Sequence, residues 1–436
     1  MRMILMMIWL LATVCARADD WPQFNGPGQG GVSGEIGLAR EWTVGQPRTL
    51  WTVNLNRGYG GAAIRDGEVF VLDRVAEEKD VLLCLDLETG KVKWEQAIPR
   101  KGSIPYPGSR TVPTVDAEHV YALTGFGQLV CVSRTTHEPV WSHHLLKEFP
   151  VTNRVSGAQS QAPRWGFTQN PVLYNDTLIA SPMSESAGLV AYDRTTGKER
   201  WRSGYVGLKI FAHATPRLVN LCGVNQFVVQ ANLHGGKNPP ALITGIDAES
   251  GKLLWQFATW RPYNIPVPMP VPVGQDRLLF AGGYRVGAFM VQWTKNSDKW
   301  THEYIWKDNQ DCAPHLHTPV FYKGYIYANS FDKFHNSENN GLVCMDLGGK
   351  LKWKSGPNDV FDSGGLLIAD DMIYILHGQT GELSLVAADP TGYSLRSRKK
   401  VLNATDGEAW APLAISNEKL IVRDLTQMKC LDVKLR

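Results

Sequence analysis

The chain of 436 residues has little that is long and apolar. Beyond Met3–Val14, no stretch is long and apolar enough for a membrane helix. Long helical periodicity is missing too, which argues against a helical bundle. Neither sign of charge dominates: Lys and Arg number 45 against 42 Asp and Glu, with no basic stripe, so a nucleic-acid partner is not expected. The seven cysteines are never adjacent. Gly-x-Ser-x-Gly and P-loop motifs are absent, and residues 26–31, in a turn-rich stretch with no strand period, lack the setting of a dinucleotide fingerprint, which removes three common chemistries. What is abundant is Gly (42) and Pro (25) in a chain that is 43% apolar and 20% charged. That balance predicts a large core built from many short strands and turns.

The first residues read as an export signal. Arg2 precedes the apolar Met3–Val14, and Ala16-Arg17-Ala18 offers a small-x-small cleavage site. Cleavage near Ala18 yields an exported protein without a membrane helix, periplasmic or extracellular. It removes two of the 45 basic residues, Arg2 and Arg17, leaving 43 against 42 acidic ones. A lipid anchor on Cys15 is disfavoured by Val14, where a small residue is expected. Residues 19–48 are rich in turn-formers and read as an irregular strap pinned by Trp21 and Phe24.

The rest of the chain repeats one unit. Cys84-Leu85-Asp86-Leu87-Glu88-Thr89-Gly90-Lys91-Val92-Lys93-Trp94 reads as strand, turn and strand, with Asp86 bonding nearby N–H groups and Gly90 supplying a positive φ. The Asp-to-Trp spacing of 8 residues returns at Asp193, Gly197 and Trp201, and again at Asp247, Gly251 and Trp255. A copy one residue shorter runs from Asp346 to Trp353, and a worn one ends at Trp141. Seven tryptophans, Trp51, Trp94, Trp141, Trp201, Trp255, Trp306 and Trp353, mark fourth strands spaced 43, 47, 60, 54, 51 and 47 residues apart. An eighth fourth strand without Trp falls near Ser397 to Val401. The last third strand, around Met428–Val433, ends the chain with no fourth, while the strand of Trp51 has no third before it. The two complete each other. The fold expected is therefore all-β: an eight-bladed propeller over residues 49–436, with four antiparallel strands per blade and the N-terminal strand closing the last blade.

Cys84, Cys131, Cys344 and Cys430 occupy equivalent places in their repeats. Face-packed sheets lie ~10 Å apart, beyond disulfide reach, so these four are read as small buried apolar residues. Cys222 and Cys312 have no such explanation. His143-His144, at a strand end, reads as an exposed pair.

The Asp-x-x-Thr-Gly-Lys-x-x-Trp unit resembles the PQQ-like repeat of quinoprotein-type propellers, over essentially all of residues 49–436. Trp21-Pro22-Gln23-Phe24-Asn25-Gly26-Pro27 and Pro163-Arg164-Trp165-Gly166-Phe167 are also similar to segments of a bacterial group of exported propellers with this repeat. The resemblance implies one of two functions. One is a non-catalytic binding or scaffold protein of the cell envelope, like the BamB-type subunit of outer-membrane β-barrel assembly, holding a protein or small-molecule ligand. The other is a dehydrogenase of alcohols or sugars that uses PQQ and calcium. Enzymes of that class often cap the cofactor with adjacent cysteines and spend long loops over it. This chain has neither, so the binding protein, as a monomer, is the leading expectation.

Any site must lie in what the repeats do not share. Residues just before each first strand should ring one mouth of the channel: Tyr59, Arg110, Thr168, Gln169, His213, Met269, His315, His317, Asp362, Ser363, Glu408 and Trp410. Asp362 and Glu408 are candidate metal ligands or bases. Arg110, Gln169, Trp165 and Trp410 are candidate cofactor contacts, with Trp410 as a stacking floor and Arg110 opposed by the two carboxylates. His315 and His317 share a strand face, and His213 would add a third metal ligand. Trp165, Trp410 and Tyr59 are also the platforms a carbohydrate would use. The plainer alternative is a polar, hydrated mouth whose groups satisfy one another.

Overall fold

A computed structural model describes residues 20–150, 165–182, 184–204, 206, 213–232, 240–262, 266–331 and 340–436. The expected signal, 1–18, and parts of the three long insertions, 151–164, 233–239 and 332–339, lie outside the described residues. Eight four-stranded antiparallel sheets form the ring. Blade 1 consists of Ala63–Arg65, Glu68–Val75, Lys79–Asp86 and Val92–Pro99. Blades 2 to 7 follow in sequence, their innermost strands beginning at Thr114, Val172, Arg217, Val271, Val320 and Leu366. Blade 8 joins Ala414–Ser416, Lys419–Arg423 and Gln427–Asp432 to the N-terminal strand Arg48–Asn54, which pairs antiparallel with the last strand. Closure thus occurs in the strand order expected. The fourth strand of blade 7, Leu395–Lys400, starts two residues earlier than anticipated.

Alternation builds the core between blades. In blade 1, Ile64, Val69, Val71, Leu83 and Leu85 pack toward blade 8, while Phe70, Leu72, Leu82, Cys84 and Trp94 pack toward blade 2. Both faces are buried at the middle strands of each blade, which carry near-continuous apolar runs, while the outermost strands are largely exposed.

The repeated turn has two jobs. Its Asp accepts bonds from the turn: Asp86 Oδ1 takes the Thr89 N–H and hydroxyl at 2.8 and 2.7 Å, and Asp193 and Asp247 do the same. Its Gly is also the landing surface for the tryptophan of the preceding blade. A Cβ on Gly90, Gly197, Gly251 or Gly349 would lie 2.4–2.8 Å from Trp51, Trp141, Trp201 or Trp306. The Trp51, Trp141 and Trp306 indoles donate to carbonyls of the neighbouring turn, Leu87, Arg194 and Leu347, at 2.9, 3.0 and 2.9 Å. Where the turn is worn, an aromatic substitutes: Trp94 stacks on His137 at 5.1 Å, and Trp255 packs on Trp293 at 3.9 Å.

A register shift recurs between third and fourth strands in all eight blades. It sets Trp51, Trp94, Trp141 and Trp353 across from Cys430, Cys84, Cys131 and Cys344, and Trp201 and Trp255 across from Ala191 and Gly245. A small residue there makes room for these indoles, while Trp306 in blade 5 faces the larger Met290. All six cysteines from Cys84 to Cys430 are free thiols.

Two readings change. His143 is not exposed: it stacks on Tyr192 at 4.1 Å and bonds Glu148 and the Gly197 carbonyl, because its strand end abuts blade 3. The strap is less irregular than its composition suggests. Trp21 bridges Ile64 of blade 1, Gln29 meets Arg217 and Leu218 of blade 4, and Val32–Ser33 pairs parallel with the innermost strand of blade 7. The strap therefore crosses the channel against the innermost strands.

Candidate functional site

The segments before the innermost strands are tied to one another around the ring. Val112 N–H donates to Asn170 Oδ1 (2.6 Å), Asn170 N–H to Thr215 Oγ1 (3.0 Å) and Met269 N–H to Thr318 Oγ1 (2.9 Å). These bonds hold the intervening side chains around a cavity of about 400 Å³ at the channel mouth. Of the twelve mouth positions expected, ten line it; Gln169 and Met269 do not. Gln169 is buried instead, donating to the Ala214 carbonyl at 2.8 Å. Trp165 also lines the cavity, and Phe24 of the strap lies at it as well.

The cavity is uneven in character. Ahead of blades 7, 8, 1 and 2 stand aromatic rings and carboxylates. Tyr59 stacks on Trp410 with centroids 5.7 Å apart, and Tyr106 meets both at 6.1 and 6.2 Å. The Tyr59 hydroxyl donates to Glu408 Oε2 at 2.6 Å; burial first, then that carboxylate, raise its pKa. Asp406 Oδ2 accepts from Arg57, and Asp362 Oδ1 from the Ser363 N–H.

Imidazoles gather ahead of blades 4 and 6. His213 Nδ1 bonds Thr168 Oγ1 at 2.7 Å, with Trp165 edge-on at 5.4 Å. His315 Nε2 bonds the Tyr284 hydroxyl at 2.9 Å, and His317 Nε2 donates to the Ser363 carbonyl at 3.1 Å. Burial pushes both His213 and His317 down to about 4, so they are neutral at pH 7.

Arg110 does not face the carboxylates. Its guanidinium donates to the carbonyls of Pro105 and Tyr106 and lies 5.9 Å from the Tyr59 ring centre. Burial lowers its pKa to about 10.

His213, His315 and His317 share the cavity but do not form a ligating group. Among the described residues no three His, Cys, Asp or Glu side chains are placed to hold one metal ion. Calcium takes six to eight oxygens, and here Asp362, Asp406 and Glu408 each commit one oxygen to a different protein donor. Among the described residues these carboxylates do not converge on one calcium site. Tyr106, Tyr284, Gln379 and Asp406 were not expected in the lining. Tyr284 and Gln379 sit in turns within blades 5 and 7, whereas Tyr106 and Asp406 lie in the segments before blades 2 and 8, farther from the first strand than the positions expected. Their sequence signal is local: Tyr106 stands next to Pro107-Gly108, and Asp406 next to Gly407.

Residues 43–204 match the family described as outer membrane protein assembly factor BamB. No curated protein matches the sequence significantly. Among solved structures, the quinohemoprotein alcohol dehydrogenase from Comamonas testosteroni is 13% identical with a TM-score of 0.63, covering 97% of this chain and 81% of its own. A europium-containing methanol dehydrogenase is 10% identical with a TM-score of 0.65, covering 94% and 90%. BamB from Moraxella catarrhalis is 11% identical with a TM-score of 0.54, covering 89% and 98%. At such identities the likeness is one of fold.

Proposed function

We propose that this propeller is exported to the bacterial cell envelope and acts there as a non-catalytic binding protein, holding a small ligand in the mouth cavity. One observation carries the reading: a cavity of about 400 Å³ walled on one side by the Tyr59–Trp410–Tyr106 aromatic group, with polar groups on the other. That volume and that mix suit a small-molecule site. The BamB-type repeat is compatible with a scaffold role. Native mass spectrometry of the chain from Asp19 onward, incubated with envelope extract, tests this. A ligand adduct kept by the wild type and lost in Trp410→Ala is expected. Absence of any adduct refutes it.

The second reading is a PQQ- and calcium-dependent dehydrogenase of alcohols or sugars. It draws on Asp362, Glu408 and Trp410 lining one cavity. The separate commitments of the carboxylates weigh against it. Titration with PQQ and calcium decides: quinone absorbance on the protein with dye reduction would support the enzyme, and no binding at micromolar PQQ would remove it.

A further inference from the structure

We infer that the ligand of this cavity is an organic cation with an ammonium head, seated between the Tyr59–Trp410–Tyr106 group and the carboxylates of Glu408, Asp362 and Asp406. The inference rests on the binding reading above and names its ligand class. Three features meet in one sector. The carboxylates all come from the segments before blades 7 and 8, and the rings from those before blades 8, 1 and 2, so both sets stand on neighbouring blades. Each carboxylate spends one oxygen on the protein: Glu408 Oε2 on Tyr59, Asp406 Oδ2 on Arg57, Asp362 Oδ1 on the Ser363 N–H. The second oxygen of each is left for a partner.

Among the described residues compensating cations are few. Arg57 meets Asp406 at the rim, and Arg110 is turned onto backbone carbonyls. Among the described residues, three carboxylates against two guanidiniums leave an uncompensated negative charge beside electron-rich ring faces. An ammonium is attracted to both: to the carboxylate by charge, to the ring face by its quadrupole. A second anion would be repelled, and a neutral ligand would gain only from the rings. Arg110, 5.9 Å from the Tyr59 centroid, already shows this ring beside a cation.

Choline and its neutral isostere 3,3-dimethyl-1-butanol separate the two attractions. Calorimetric titration of the chain from Asp19 onward should give saturable choline binding at least about ten-fold tighter than the alcohol, a difference of about 1.4 kcal/mol. Glu408→Gln and Asp362→Asn should each bring choline toward the alcohol without moving the alcohol. Trp410→Ala should weaken both. Two carboxylate variants are used so that loss of the Tyr59 bond in Glu408→Gln does not decide alone; unfolding midpoints confirm that each is folded. Equal affinities, no saturable choline binding, or choline binding untouched by both carboxylate variants would overturn the cation. If the alcohol binds and choline does not, the cation fails while the binding function stands. If neither binds and no envelope adduct forms, both fail.

Discussion

Gly90→Ala tests the idea that the repeat glycine is a landing surface as well as a turn residue. At φ +69° any side chain there is strained, and its Cβ would lie 2.6 Å from Cδ2 and 2.8 Å from Cγ of Trp51. Gly67 is the internal control: its φ is +75°, yet a Cβ there would meet nothing within 4 Å. Gly67→Ala should therefore cost only the left-handed backbone strain, about 1–2 kcal/mol. Gly90→Ala should add an overpacking cost of about 1–3 kcal/mol, because the indole is fixed by its bond to the Leu87 carbonyl and cannot simply withdraw. Trp51→Ala alone should cost about 3–5 kcal/mol, as a large buried aromatic is lost from the closing strand. In the Trp51→Ala background the clash is gone, so Gly90→Ala should fall back to the Gly67→Ala value. The assay is urea unfolding followed by circular dichroism for the four variants and the wild type, read as a double-mutant cycle. A Gly90→Ala cost equal to that of Gly67→Ala, or no coupling to Trp51, would refute the landing role.

Three further outcomes are expected. His213 and His317 titrate near 4 when folded and near 6.5 when unfolded, so the unfolded chain binds more protons between those values and stability falls as pH drops below about 6.5. By pH 5 the loss should be about 2 kcal/mol for each, and a His213→Asn/His317→Gln double variant should show a smaller drop in urea midpoint between pH 7 and 5. Arg423, buried in blade 8, donates to the carbonyls of Gly60, Leu72 and Asn56, so Arg423→Met should destabilise by about 3 kcal/mol or more; a cost under about 1 kcal/mol by urea unfolding would show those carbonyls satisfied without it. Burial pushes the thiols of Cys84, Cys312 and Cys430 up to about 12 and that of Cys344 to about 11, and Cys131 rises as well. In the folded chain from Asp19 onward only the part-exposed Cys222 should react with a disulfide-exchange reagent, against six after unfolding.

The fold was legible because the repeat writes the same local physics many times. Asp86, Gly90 and Trp94 fix a turn and a strand, and their copies count blades without any knowledge of tertiary contacts. The unpaired halves at Trp51 and Cys430 forced ring closure, since a strand must pair somewhere. The mouth was legible by the same route, as the position just before each innermost strand. Two of those positions failed for a local reason. Gln169 turns inward to the Ala214 carbonyl, and Met269 is buried outside the cavity lining. No spacing rule distinguishes a side chain that points into the channel from its neighbour that points between blades. Asp406, Tyr106 and Tyr284 were missed because they arrive through connections that the repeat does not constrain. His143 was misread because exposure at a strand end depends on the next blade, which sequence periodicity does not see.

The strap shows where legibility stops and why that matters for the site. Trp21 and Phe24 announced that residues 19–48 are pinned, but not where. The pins are long-range and mostly backbone: Val115 N–H donates to the Pro22 carbonyl at 2.8 Å, and Ile368 N–H to that of Gly31 at 2.8 Å. Carbonyls leave no trace in a sequence, so such contacts cannot be read from it. Yet they carry the strap across from blade 1 to blade 7 and set Phe24 among the residues lining the cavity. One wall of the cavity thus comes from a segment that precedes the ring, with Phe24 lining it as Trp410 does. On the proposed reading, a ligand spanning the cavity would touch the strap, the segment before blade 8 and that before blade 1 together. Its binding energy should therefore also oppose opening of the ring at the blade 8 closure, where Arg48–Asn54 pairs with Gln427–Asp432.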